Sequence, residues 1–434
     1  MGLYFLKNIC YNLRKSERNG YIMKVLNIGS CNLDYVYSLD HIVAEGETER
    51  SFDMRIFPGG KGLNQSVAAA KAGAKIYHAA CVGSDGDMLI DIMNKSGVDT
   101  SLIMRRDAKN GHAIIQVSSS AENSIFVYPG TNDMIDKDYI DRTLALFSKG
   151  DILILQNEIS NPVYIIEQAY KKEMTIILNP SPINANLFEI DMDMISYLVL
   201  NEIEIKSFFA SANADASLLI AAENYPNLKI VLTKGVKGSV YKDSENYIYQ
   251  PSFKAQAVDT TAAGDTFMGY FVAGLYNEMP IGEILKTASA ASAITVSRNG
   301  ASPSIPYADE VYSRLGEMEE NIIVPDNDVF LKALDEYIMN NLTDTRLKDF
   351  AEHMKCSCGA ARSAVKKHTG KNFNEYVRIL KIKFCAKLLG ETDMNISEII
   401  KLTGYENESY FRRKFKEVYG ISPNKYRKTE RAQQ

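Results

Sequence analysis

Five stretches in the first half of the chain are apolar almost without a break: KVLNIGS (24–30), DILILQNE (151–158), TIILNP (175–180), YLVLNE (197–202) and KIVLTKG (229–235). Runs of this length without alternation predict strands covered on both faces, as in a parallel sheet. Between them, GLNQSVAAAKAG (62–73) and NPVYIIEQAYKK (161–172) carry helical spacing. Strand and helix alternate, so the first three quarters of the chain predict an α/β domain. Each strand is followed by polar residues: Asn32 and Asp34 after the first, then Glu158, Asn179, Asn201 and Thr233. Ligands of open parallel sheets sit outside the carboxyl ends of the strands, so these side chains are expected to share one crevice.

A second rhythm interrupts the first. RSFDMRIF (50–57) sets Phe52, Met54 and Ile56 against Asp53 and Arg55, and HAIIQVSSS and NSIFVYPG (112–130) predict a hairpin turning at Ala121, Glu122 and Asn123. Period-two strands with one apolar face predict a small antiparallel β lid over the crevice edge, which is also a candidate homodimer surface.

Past residue 330 only helical spacing remains, in LKALDEYIMNNL, RLKDFAEHM, NFNEYVRILKIKFCAKLLG, ISEIIKLTG and SYFRRKFKEVYG. Short helices joined by Gly and Ser turns predict an all-α domain of two helix-turn-helix units. The acidic stretch EMEENIIVPDNDVF (317–330) reads as a linker. The expected domains are therefore 23–316 and 331–428, preceded by an extension over 1–22 with Met23 as an alternative start.

The chain is 434 residues long and 46% hydrophobic, enough for two cores. No apolar run is long enough to span a bilayer, and MGLYFLKNIC lacks the features of a secretory signal. Six cysteines without framework spacing predict reduced thiols and a cytoplasmic location; Cys356 and Cys358 form the only close pair and lack further metal ligands. From Pro325 onward 21 Lys and Arg face 15 Asp and Glu, a net of +6, which leaves −11 for the rest of a chain whose total is −5. An acidic front and a basic back suggest different partners.

In DTTAAGDTFMGYFVAG (259–274), Ala262, Ala263 and Gly264 lead into an apolar helix. Amide hydrogens at a helix start bind anions, and small side chains let a phosphate approach. Asp265 sits at that start, where a carboxylate repels phosphate. It reads as the base for an attacking hydroxyl, or as an N-cap. PGGKGLNQS (58–66) lacks the GxxxxGK[ST] spacing, so it is not a P-loop.

These two motifs resemble the signatures of the ribokinase (PfkB) sugar-kinase family. GSCNLD (29–34), GSDGDM (83–88), LQNE (155–158), NEIE (201–204), TKGVKG (233–238) and VSRNGASPSIP (296–306) extend the resemblance over Met23 to Leu315. It implies a ribokinase-like parallel sheet flanked by helices, and ATP-dependent phosphorylation of a sugar. Ribose at its 5-hydroxyl comes first. A nucleoside or other furanose, or a sugar sensor without catalysis, is the alternative. The resemblance assigns sugar binding to Asn32, Asp34, Gly60, Lys61, Asn64 and Glu158, with Asp265 as base and Ala262, Ala263 and Gly264 as anion hole. It assigns ATP to Asn201, Thr233, Lys234, Gly235, Val236, Lys237, Gly238, Gly264 and Ser289. Mg²⁺ would be held through water near Asn201 and Glu204. K⁺ would lie among Asp259, Thr261, Thr295, Arg298, Gly300 and Ser304, mostly through carbonyls.

The tail resembles the AraC/XylS-type DNA-binding domain over 331–428, most clearly in ISEIIKLTGYENESYFRRKFKEVYGISPNKYR (396–427). The resemblance places Phe411 and Phe415 in the core and Glu408, Ser409, Arg412 and Arg413 in the major groove of double-stranded DNA. Lys414, Lys416, Lys425 and Arg427 become phosphate candidates. In the first unit Arg362 and Ser363 occupy base-reading positions, but Ala361 and Val365 stand where larger apolar residues are usual, and Gly359 weakens the helix. The whole then reads as a sugar kinase joined to a transcription regulator.

Overall fold

The computed structural model describes residues 23–120, 122–209, 211, 213–321, 327–354, 358–405 and 407–431. The expected extension over 1–22, Ala121 of the hairpin tip, Cys356, and 322–326 of the expected linker lie outside the described residues. The chain divides into two compact units between Asn321 and Ile322.

In chain order the strands of the first unit are Val25–Ile28 (β1), Asn32–Ser38 (β2), Asp53–Gly59 (β3), Ile76–Ala79 (β4), Cys81–Val82 (β5), Met104–Arg105 (β6), Gly111–Val117 (β7), Asn123–Tyr128 (β8), Ile152–Gln156 (β9), Thr175–Asn179 (β10), Tyr197–Asn201 (β11), Lys229–Thr233 (β12), Ser239–Lys242 (β13) and Tyr247–Gln250 (β14). Eight form one sheet in the order β14-β13-β12-β11-β10-β9-β1-β4. The six from β12 to β4 are parallel, and β13 and β14 close the far edge antiparallel. All five unbroken apolar runs become parallel strands of this sheet.

Both faces are covered. Val25, Ile154, Ile177, Val199 and Val231 share one core with Leu63, Phe271 and Ile284 from the helices Lys61–Lys71, Ala263–Tyr276 and Ile281–Val296. The alternate residues Leu26, Leu153, Leu178 and Leu200 are as deeply buried, which only a second layer explains. Helix Pro162–Lys171 packs there on β9 and β10. On the first face, Lys61–Lys71 and Ala263–Tyr276 lie unusually close. A Cβ on Gly269 would stand 2.3 Å from the Ala68 Cβ. Small residues at that crossing bring the two helix N-termini together over the sheet edge.

The lid is the sheet β3-β2-β7-β8. It differs from the antiparallel expectation in one pair: β2 runs parallel to β7, while β2–β3 and β7–β8 are antiparallel. Alternation reports a half-buried face, not the direction of a partner some eighty positions away. A related difference concerns Asn32 and Asp34. The first strand ends at Ile28, and both residues lie on β2, already in the lid. At the other end, Lys254 N–H donates to Glu319 O and Asn321 N–H to Ser252 O. Residues 319–321 of the expected linker are thus pinned to the first unit, and Asn327–Asn340 is already helical.

The second unit consists of helices Asn327–Asn340, Leu347–His353, Cys358–Thr369, Phe373–Glu391, Ile396–Leu402, Glu408–Tyr419 and Pro423–Arg431. Phe411 and Phe415 are fully buried against Ile382, Cys385, Leu389 and Ile399, as expected. Asn395 and Glu398 form a reciprocal capping box on the helix preceding that pair. In the first helix-turn-helix, Ala361 and Val365 are fully buried despite their size.

Candidate active site

The GGKG turn begins helix Lys61–Lys71, with Gly60 as its N-cap residue. Ser30, just after β1, holds that start: Gly62 N–H donates to Ser30 Oγ at 3.1 Å and Leu63 N–H to Ser30 O at 2.9 Å. The approach is close enough that a Cβ on Gly62 would fall 2.3 Å from Ser30 N. Glu158 completes the corner, accepting from Ser30 Oγ and, at 3.0 Å, from Lys61 N–H. A carboxylate at a helix N-terminus is favourably placed.

Asn32 is nearly fully buried. Its Oδ1 accepts from Asn132 Nδ2 at 2.7 Å, while Asn132 Oδ1 accepts from Cys31 N–H at 3.0 Å. A backbone amide only donates, so Asn132 must turn its oxygen to Cys31 and its NH₂ to Asn32. Asn32 is left offering its own NH₂ to a cavity of about 480 Å³ lined by Asn32, Asn132, Asn157, Glu158, Val127 and Pro182. Asn132, in the PGTND stretch after β8, escaped the sequence reading, because one Asn in a turn carries no signal of a neighbour a hundred residues away.

Three carboxylates, Asp34, Glu158 and Asp265, share this corner with Lys61. Burial, reinforced by the Glu158 and Asp265 charges, pushes the Asp34 carboxyl up to about 7. Burial also raises Glu158, against the opposing pull of Lys61 and of hydrogen bonds from Ser30 and the Lys61 amide. For Lys61 burial acts to lower the pKa, but Asp265, Glu158 and Glu204 together raise it, so the ammonium stays charged. Crowded buried acids around one cation are expensive for a fold and mark a place where ligands bind.

Asp265 lies in the first turn of Ala263–Tyr276 and is largely buried. Its Oδ2 accepts from Asn64 Nδ2 at 3.1 Å and its Oδ1 from Gln65 Nε2 at 3.0 Å. The sequence alternative of an N-cap is not what the geometry adopts: the cap is Ala262, in the left-handed region at φ 60°, with no side-chain hydrogen bond. The first-turn amides of Gly264 and Asp265 are therefore not satisfied by a cap, which leaves donors for an anion. Asn64 Oδ1 is buried without a partner, an acceptor that hydroxyl-bearing ligands satisfy.

Toward the β11–β12 end, Asn201 and Glu204 form a capping box. Asn201 Oδ1 accepts from the amides of Ile203 and Glu204 at 2.9 Å, and Glu204 Oε2 accepts from Asn201 N–H at 2.9 Å. Glu204 nonetheless acts on Lys61 electrostatically. The loop 233–238 is a tight turn in which Lys234 N–H donates to Gly238 O. Lys234, expected in the ATP loop, has its side chain tied to another helix. Its ammonium is buried and bonds both Asp215 oxygens at 2.8 Å, so it is not available to a phosphate. Lys237 bonds Glu202, Val236 is exposed and Ser289 is buried on Ile281–Val296. Farther round, Asp259 accepts from the amides of Thr261 and Gly300, both at 2.9 Å, and ties two loops together. Burial would raise its pKa, but those bonds lower it. Thr295 Oγ1 pairs with Thr266 Oγ1, Arg298 bonds Glu310, and Ser304 Oγ donates to Ala301 O.

In the second unit, Glu408, Ser409 and Arg413 are exposed on Glu408–Tyr419, and Arg362 is exposed on Cys358–Thr369, the helix that also contains Ser363. Arg412 pairs with Glu408 along the helix, and Arg413 lies over the Tyr410 ring. Arg427 departs from its expected phosphate role: its guanidinium donates to Leu389 O and Met394 O.

Residues 23–308 match the model of the pfkB family carbohydrate kinase. The chain belongs to the pfkB family of carbohydrate kinases. This pfkB kinase is similar to ribokinase of Haemophilus influenzae, with 34% identity over 292 residues covering 65% of this chain and 95% of that protein. Its fold matches ribokinase from Cryptococcus neoformans var. grubii in complex with ADP: TM-score 0.61 and 33% identity, covering 67% of this chain and 99% of that one. It also matches Arabidopsis thaliana ribokinase complexed with ribose and ATP: TM-score 0.60 and 26% identity, covering 68% and 98%. Residues 350–429 match a helix-turn-helix domain model, so the pfkB kinase carries an AraC-type helix-turn-helix domain behind it. Among the described residues no helix is long and apolar enough to cross a membrane.

Proposed function

We propose that the first unit transfers the γ-phosphoryl group of ATP to the 5-hydroxyl of ribose, and that the second binds double-stranded DNA sequence-specifically to regulate transcription. The observation that carries the kinase reading is the direct bond between Asn64, in the GGKG helix, and Asp265, at the start of the uncapped helix. It supports reading Asp265 as a base beside the corner proposed for the sugar. Asn32 offers an NH₂, Asp34 and Glu158 offer acceptors, and Gly60, Lys61 and Asn64 close the corner. Directional polar groups of this kind reject analogues that lack a hydroxyl.

Asp265 takes the proton of the attacking hydroxyl. The backbone at Ala262, Ala263 and Gly264 holds the charge of the transferring group, and Lys61 adds a cation beside it. The nucleotide lies along Asn201, Thr233 to Gly238 and Ser289, with Lys234 contributing only its backbone. Mg²⁺, held through water by Asn201 and Glu204, would neutralise phosphate charge, and the carbonyls of the loops that Asp259 ties, 259–261 and 295–304, would hold K⁺. The lid keeps water out, and the exposed apolar residues Ile125, Phe126, Val127 and Tyr128 of β8 support a homodimer through it. Arg412, Arg413, Glu408 and Ser409 read base edges, with Arg362 and Ser363 in the first helix-turn-helix of the same unit, while Lys416 and Lys425 meet phosphates. Sugar occupancy biases DNA binding only through different affinities of the two states.

ADP release with ATP and a panel of pentoses, hexoses and nucleosides tests the substrate. Asp265→Asn is expected to keep sugar binding and lose turnover by roughly 10²–10⁴-fold; near-normal turnover would remove the base. Gel-shift titrations with and without ribose and ATP test the coupling, and identical curves would refute it.

A further inference from the structure

Behind Asp265 lies a chain of buried amides that the phosphoryl-transfer scheme does not use. Asn27 Nδ2 donates to Gly62 O at 2.9 Å, and Gln156 Nε2 donates to Asn27 Oδ1 at 3.1 Å. The same Gln156 nitrogen donates to Gln65 Oε1 at 2.7 Å. Gln65 Nε2 then donates to Asp265 Oδ1 at 3.0 Å and to Asn179 Oδ1 at 3.2 Å, and Asn179 Nδ2 donates to Val199 O at 2.9 Å. Asn27, Gln65 and Gln156 are all essentially inaccessible to solvent.

Each end of this chain is a backbone carbonyl, which only accepts. Gly62 O therefore forces Asn27 to present its NH₂ there and its oxygen to Gln156. Gln156 must answer with its NH₂, which meets the oxygen of Gln65, and Gln65 is left with its NH₂ toward Asp265. From the other side Val199 O forces Asn179 to turn its oxygen to Gln65, which demands the same orientation. Gln156 Oε1 is left buried with no partner. Turning that amide over would satisfy nothing and would set its oxygen against two others. An orphaned acceptor retained in this way is the mark of an orientation the rest of the network imposes.

We infer that Gln65 is a positioning residue for Asp265, its donor direction set by the relay that starts at the Gly62 carbonyl and passes through Asn27 and Gln156. The inference rests on the reading of Asp265 as the base. With Gln65 on one oxygen and Asn64 on the other, the carboxylate is held by two donors from adjacent residues of one helix and cannot rotate away from the hydroxyl it serves. The relay's first acceptor belongs to the GGKG helix itself, so the sugar corner and the base are held by one continuous set of bonds.

The test uses the full-length protein and the sugar that supports turnover. Gln65→Met removes the donor at nearly constant volume, and Gln65→Glu replaces it with an acceptor. Both are expected to lower kcat roughly 30- to 100-fold while the KM for sugar stays within about threefold. A space-filling role would leave both variants near the wild-type rate. Gln156→Leu is expected to lower kcat roughly three- to tenfold, although residue 156 meets Asp265 only through Gln65. A folded Gln65 variant, verified by thermal melting, with kcat within about threefold of wild type overturns the proposal, as does a parallel loss of sugar affinity. If neither Gln65 variant folds, an unchanged kcat in Gln156→Leu overturns it. Asp265→Asn measured alongside separates the two levels: turnover retained there sinks the base, whereas turnover lost there but kept in the Gln65 variants sinks the relay alone.

Discussion

Asp34→Asn is predicted to make the kinase unit more stable and a poorer binder of sugar. The Asp34 carboxyl titrates near 7 in the fold against 3.8 in an ordinary Asp, chiefly because it is buried and then because Glu158 and Asp265 are near. An acid whose folded-state pKa lies above its unfolded value destabilises the fold once it ionises. The penalty is absent below about pH 4, grows between about 4 and 7, and is complete above 7. At about 1.36 kcal/mol per pKa unit, a rise of about three units is worth at most about 4 kcal/mol at pH 8. For a domain of this size that is roughly 8 °C in melting temperature. The assay is differential scanning calorimetry of the full chain without ligands at pH 8 and pH 5, following the transition that sugar shifts upward, which marks the kinase unit. The Asn variant is expected to melt well above wild type at pH 8, with the gap closing at pH 5. A variant that melts at or below wild type at pH 8, or a gap that does not change with pH, would show that the carboxylates are not in conflict.

Three further outcomes are expected. Asn132→Ala deprives Asn32 Oδ1 of its donor and lets that amide turn over, so the KM for sugar rises roughly tenfold with kcat little changed; an unaltered KM in steady-state assays refutes it. Lys234→Met strands the buried Asp215 carboxylate and costs about 3–5 kcal/mol in urea unfolding, and Lys234→Met/Asp215→Leu recovers most of it; a neutral single variant would contradict the buried pair. Arg413→Ala weakens specific DNA binding by about 1–3 kcal/mol in fluorescence anisotropy and relaxes preference at one base; an equal loss on random DNA would make it a phosphate contact.

What was legible followed from local pattern. The five apolar runs became parallel strands because a strand buried twice has no other composition, and Phe411 and Phe415, which the tail's resemblance puts in the core, are buried there. The DTTAAGD and GGKG motifs were readable because the residues that make each turn are contiguous. The parallel pairing of β2 with β7 was not readable, since nothing in either strand encodes its partner's direction. Lys234 was expected in the ATP loop, but nothing local revealed that Asp215, nineteen positions earlier, holds its ammonium. Asn132, Gln65 and Gln156 were silent for the same reason: an amide's importance lies in which end faces which neighbour.

Only three residues, Gly29 to Cys31, separate the end of β1 from the start of β2. The middle one is bonded to both Glu158 and the Gly62 amide. This link is one pivot between the lid and the main sheet, and its serine also holds the start of the Lys61 helix. The exposed loop between β2 and β3 is open to insertions, whereas a single added residue at this pivot would move Asn32, Asp34 and the Lys61 helix out of register with one another.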